Sequence, residues 1–150
     1  MPPKTLEQII PVLQVAIGPV ILISGVGLLL LTLTNRLGRA IDRARQLKAE
    51  LPNRAERGPV LAQVAIIYRR ARMIRLSITL AALSALLAAA LIITLFVTAL
   101  VHWEQGLLVS LLFIACMVSL FASLLAFIRD INLSLHALKL ELESEELEAK

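Results

Sequence analysis

Residues 8–35, 76–103 and 105–128 contain no Asp, Glu, Lys or Arg. Each run reaches the roughly 20 apolar residues that take an α-helix across about 30 Å of hydrocarbon. The pattern predicts three transmembrane helices, over 12–34, 76–101 and 107–128. Beyond these spans the apolar residues become periodic. Leu37, Ile41, Ala44 and Leu51 share one face of a helix over 35–51. Val60, Val64, Ile67, Ala71 and Ile74 recur at alternating steps of four and three, which is heptad spacing. The segment LPNRAERGP between them supplies turn-forming residues, and Pro59 suits the first turn of the following helix. Two arms of equal length, 35–51 and 59–75, fit an antiparallel hairpin over 35–75. After the third span, Ile131, Leu135, Leu138 and Leu142 repeat the spacing and predict a helix over 129–147.

The expected fold is therefore all-α. It is one integral membrane domain over residues 1–150, with three transmembrane helices extended into a cytoplasmic helical hairpin and bundle of coiled-coil character. The tail from 129 onward carries six acids against Arg129, Lys139 and Lys150. Its charge favours docking on the basic hairpin, with the apolar stripes supplying most of the energy. Within the membrane, Ser77, Ala81, Ala85 and Ala89 recur every fourth residue, as do Ala115, Ser119 and Ser123. Small residues at that spacing let helix backbones approach closely in lipid, where packing drives association. Both stripes read as helix-packing faces.

The first helix carries a different stripe. At 100° per residue, Gln14, Gly18, Ile21, Gly25, Thr32, Arg36, Arg39 and Arg43 fall within about 40° of one line. Pro19 sits inside the span on another face, where a kink is expected. If several copies surround an axis with this face, Gly18, Gly25 and Thr32 line a narrow path below Gln14. Rings of Arg36, Arg39 and Arg43 then form its mouth and favour anions. Three helices cannot easily enclose a path, so this reading needs a homo-oligomer. Otherwise the small residues meet neighbouring helices, and the arginines meet lipid phosphates and the acidic tail.

Charge decides the expected orientation. Residues 35–75 hold eleven Lys and Arg against Asp42, Glu50 and Glu56. The positive-inside rule places such a loop in the cytoplasm, with the N-terminus outside and the C-terminus inside. Trp103 falls in the outer turn, at headgroup level. Topology accounts for the basic loop without nucleic acid, and anionic lipid at the cytoplasmic face is the expected partner. The first run is longer than a signal-peptide core and lacks a clear cleavage site, so it reads as a permanent helix. Asp42 lies three residues from Arg39 and Arg45, a spacing suited to an ion pair.

Little points to catalysis. The spans hold no ionisable group of the kind coupled transporters use. HExxH, GxGxxG and GxxxxGK[ST] patterns are missing from the sequence. His102 and His136 fall outside the spans. Cys116 is the only cysteine, so no intrachain disulfide or cysteine zinc site forms, and it reads as a packing residue. No enzyme activity, metal or cofactor is expected.

The stretch PVILISGVGLLLLTLTNRLGRAIDRARQL, residues 19–47, resembles a bacterial membrane family catalogued as domain of unknown function 2721. Asn35, Arg36, Arg39, Asp42, Arg43 and Arg45 match its NRLxRxxDRxR element. The resemblance implies a bacterial inner membrane and three helices, and it implies no substrate. Two functions follow as expectations. One is a homo-oligomeric, anion-selective pore or channel lined by the first helix. The other is a membrane scaffold or accessory subunit that binds anionic lipid and a cytoplasmic protein through its helical bundle.

Overall fold

The computed structural model describes the backbone of residues 4–50, 57–101 and 106–148, and the side chains of 10–49, 64–101 and 106–132. The described residues form three helices, α1 (Lys4–Glu50), α2 (Arg57–Val101) and α3 (Gly106–Glu148). All three contain segments long and apolar enough to cross a membrane. At 1.5 Å per residue each is about 65–70 Å long, roughly twice the hydrocarbon thickness. The spans and the arms beyond them are thus continuous rods. Pro11 and Pro19 lie inside α1 without ending it.

α2 is the centre of the bundle. It packs along α1 on one side and α3 on the other, while α1 and α3 scarcely touch. Burial follows the heptad through the membrane as well as outside it. On α1 the half-buried or buried positions include Val12, Ala16, Pro19, Ile23, Val26, Leu30, Leu33, Leu37, Ala40, Ala44 and Leu47, an unbroken alternation of four and three. On α3 they include Val109, Leu112, Cys116, Ser119, Ser123, Ala126 and Asp130, alternating three and four. α2 carries two such seams. Ser77, Leu80 and Ser84 face α3, as their hydrogen bonds establish, while Ile67 and Ile74 face α1 across a shared groove.

Within the chain, burial follows the heptad seam and only part of the four-residue stripes expected from sequence. Ser77, Ala81, Ser119 and Ser123 are buried, but Ala85 is only half-buried, and Ala89 and Ala115 are exposed. Ser84, Ala88 and Cys116 take the buried places. A strict four-residue step winds around a helix, whereas two helices that wrap about each other keep a seven-residue step in contact.

Size is arranged inside out, as a lipid environment permits. The buried positions of the seam between α2 and α3 include Ser77, Ser84, Cys116, Ser119 and Ser123, while Leu28, Leu86, Leu107 and Phe121 are each more than 60% exposed. Small seam residues bring backbones close enough for side chains to reach the neighbouring main chain. Ser77 Oγ donates to the Ser123 carbonyl at 2.9 Å, and Ser123 Oγ returns a bond to the Ser77 carbonyl at 2.8 Å. Ser84 Oγ donates to the Cys116 carbonyl at 3.1 Å, and the Cys116 thiol donates to the Ser84 carbonyl at 3.2 Å. Ser119 Oγ donates to the Leu80 carbonyl at 2.8 Å. Such bonds in bilayers are each worth about 0.6 kcal/mol on average. The expected apolar docking of the tail through Leu135, Leu138 and Leu142 falls outside the described side chains, as do Trp103, His102 and His136.

Candidate functional site

The site lies where the charge-free spans of α1 and α2 give way to their basic arms. A groove of about 290 Å³ runs between the two helices there, lined by Arg36, Arg39, Ala40 and Arg43 from α1 and Ile67, Arg70 and Ile74 from α2. Its position follows from the seam. Ala40, Ile67 and Ile74 are seam residues, and the short side chain of Ala40 opposite the two isoleucines leaves the helices unfilled at that level. The arginines flank the seam. Arg39 and Arg43 are exposed, as long cationic side chains at an interface usually are, whereas Arg36 and Arg70 are half-buried.

α3 contributes a carboxylate. Asp130 is fully buried, and its Oδ2 lies 3.5 Å from Arg36 Nη2. The Arg36 guanidinium also lies over the Phe127 ring, 5.1 Å from its centroid. The α2–α3 register explains why the carboxylate arrives there. Ser84 meets Cys116, and one heptad further Ser77 meets Ser123. The next heptad brings Arg70 level with Asp130, so Asp130 takes a seam position among small residues. It ties α3 to α1, helices that otherwise hardly meet, at the end of the membrane spans.

Sequence reading missed this pair, although a signal was there. Asp130 is seven residues from Ser123 and falls in the same small-residue seam. Asp42 was expected to pair with Arg39 or Arg45. It is exposed and makes no ion pair among the described residues.

The line drawn on α1 also divides. Gly18, Gly25, Thr32 and Arg39 step by sevens along an exposed column, and Gln14 is exposed one column further from the seam. A Cβ added at Gly18 or Gly25 would meet nothing within 4 Å, so neither glycine is required by packing within the chain. The Thr32 hydroxyl is engaged by its own helix, donating to the Leu28 carbonyl at 3.1 Å. Arg36 and Arg43 fall in the column next to the seam. Arg36 is turned toward α3, while Arg39 and Arg43 are exposed and line the groove.

A second, wider cleft of about 580 Å³ is lined by Arg69, Arg72, Met73, Arg75, Leu76 and Thr79. Among the described residues all six come from α2. Among the described residues no cluster of His, Cys, Asp or Glu could hold a metal ion.

Chemically, the groove offers fixed positive charge against apolar walls. Guanidinium groups are planar, permanently charged donors suited to phosphate and carboxylate oxygens. The described residues of the groove lining include no nucleophile and no group that exchanges protons near neutral pH. No curated protein and no solved structure was found to match the chain. The family described as "Protein of unknown function (DUF2721)" matches over residues 16–140, five-sixths of the sequence, and the chain belongs to that family.

Proposed function

We propose that this is a non-enzymatic, multi-pass protein of a bacterial inner membrane whose arginine groove binds the phosphate of an anionic lipid at the cytoplasmic face. Bound lipid would fix the depth of the helical bundle, which would present its arms to a cytoplasmic protein as a scaffold or accessory subunit. The groove between α1 and α2 carries this reading. Arginines from two helices converge at the end of the apolar spans, against isoleucine and alanine walls. Basic pockets between transmembrane helices on the cytoplasmic side are suited to lipid phosphates. The orientation rests on the eleven basic residues of 35–75.

The test is lipid binding by the purified protein in nanodiscs, with phosphatidylglycerol titrated into phosphatidylcholine. Each cationic residue near an anionic surface is worth about 1 kcal/mol. Arg39→Glu, a change of two charges, should weaken binding by about 30-fold. Arg45→Glu, exposed and outside the groove, should have a much smaller effect. Equal losses at the two positions would mean diffuse attraction and no groove site.

A homo-oligomeric anion pore is the second reading. It draws support from the exposed column Gly18, Gly25, Thr32 and Arg39, with Gln14 beside it. Gly18 and Gly25 leave room for a second copy to approach. Arg36 weakens this reading because Asp130 and Phe127 hold it toward α3. Planar-bilayer recording separates the two. A pore predicts an anion-selective current that Arg39→Glu reduces or inverts and Arg45→Glu leaves alone.

A further inference from the structure

We infer that the groove is built for a lipid headgroup carrying two linked phosphates rather than a single phosphodiester. This rests on the anionic-lipid reading above and narrows it. Of the four groove arginines, Arg36 is engaged by Asp130 at 3.5 Å and by the Phe127 ring, and Arg70 stands level with the same carboxylate. The third and fourth, Arg39 and Arg43, are exposed and have no ion-pair partner among the described residues. They sit four residues apart on one wall of the groove, about 6 Å along the helix axis. Neighbours at that spacing repel each other when both are cationic. Asp42, between them in sequence, pairs with neither.

A single phosphodiester brings one negative charge and would leave half of this pair uncompensated. Two phosphates joined by a short linker bring two charges at a separation that the two guanidinium groups can meet together. The apolar walls from Ala40, Ile67 and Ile74 suit the glyceride side of such a headgroup. The groove begins at Arg36, one residue beyond the charge-free run of the first span, which is headgroup depth. This depth favours lipid over a dissolved diphosphate. The α2 cleft supplies the contrast, since its three arginines are exposed and all its described lining residues belong to one helix.

The experiment compares full-length protein in nanodiscs containing phosphatidylglycerol with nanodiscs containing half the mole fraction of diphosphatidylglycerol. Total lipid charge is then equal, and bound lipid is counted by native mass spectrometry. The two-phosphate lipid should bind about fivefold more tightly per headgroup for its second paired charge. Arg39→Gln or Arg43→Gln should each bring the two lipids to within about twofold. Arg72→Gln, in the α2 cleft, should preserve the preference. Arg39 and Arg43 are exposed, so neither change removes buried packing, and an unchanged thermal unfolding midpoint verifies this. Equal binding of the two lipids by the unaltered protein overturns the inference and leaves the anionic-lipid reading in place. Binding of neither lipid overturns both. Competition by micromolar inorganic pyrophosphate would show that the ligand is a free diphosphate and overturn the assignment to lipid.

Discussion

Arg36 and Asp130 make the sharpest test of how the bundle is held, because removing one partner should differ from removing the other. At 3.5 Å the Coulomb attraction is about 5 kcal/mol at an effective dielectric near 20. Desolvation of the buried carboxylate offsets several kcal/mol of that. Arg36→Met keeps an unbranched apolar stem against Phe127 but takes away the cation. Asp130, with 0% exposure, then stays buried without it. Breaking a buried pair in this way costs about 3–5 kcal/mol. The lower end is expected, since Asp130 makes a further interaction. Asp130→Asn has the opposite character. It removes the buried charge together with its desolvation penalty, and Arg36, 24% exposed, can turn to water or phosphate while keeping its ring contact. A cost of about 1 kcal/mol is expected. The double variant should resemble Asp130→Asn alone, because no charge is left stranded. Unfolding of the detergent-solubilised protein by dodecyl sulfate titration, read by pulse proteolysis, gives the three values. If Arg36→Met costs no more than Asp130→Asn, or if the two costs simply add, the pair does not hold α1 to α3.

Other outcomes follow from the seams and the charge pattern. Ala81→Leu and Ala88→Leu, at positions 0% and 1% exposed, should each destabilise by about 1–3 kcal/mol through overpacking, while Ala89→Leu and Ala115→Leu, both exposed, should change the same unfolding titration little. Ser77→Ala together with Ser123→Ala removes a reciprocal pair of bonds and should cost about 1–2 kcal/mol; no measurable change would show that the serines serve only by being small. A cysteine at Asn53 should resist membrane-impermeant thiol reagents in intact cells while one at Gln105 reacts, against a silent background from buried Cys116, and the reverse labelling would overturn the orientation. Leu138→Asp should raise hydrogen exchange in 35–51 and 59–75 if the tail docks there, because an unpaired carboxylate among apolar side chains costs several kcal/mol.

The helices were legible in the sequence because the signal for them is one-dimensional. A charge-free run of sufficient length needs no partner to be recognised, and the heptads of α2 at Val64, Ile67, Ala71 and Ile74 needed only spacing. Which helix occupies the middle was not legible. α2 and α3 both offer small residues, and only the double seam on α2, with Ser77 and Ser84 turned to one side and Ile67 and Ile74 to the other, makes it the shared neighbour. Asp130 escaped for a related reason. It stands two residues beyond a charge-free run, where a carboxylate reads as the first residue of an acidic tail. Its burial depends on a register that only the Ser84–Cys116 and Ser77–Ser123 contacts reveal.

The stripe on α1 divides between columns of the bundle for one geometric reason. A wheel at 100° per residue treats the helix as an isolated straight rod. A helix wrapped around a neighbour presents its contact face every 3.5 residues, and the two descriptions part by about 20° per heptad. From Ala16 to Leu47, more than four heptads of the α1 seam, the drift reaches about 90°. Gln14 therefore lies opposite α2 at one end, while Arg36, on the same straight line, lies beside the seam at the other and meets Asp130. The column that does stay straight in the bundle is the seven-residue one, Gly18, Gly25, Thr32 and Arg39, and it ends at the groove. In the frame of its partner, the first helix sets Arg36, Arg39 and Arg43 along the cleft between α1 and α2. There Arg39 and Arg43 are exposed on the groove wall, and Arg36 meets Asp130 of the third helix.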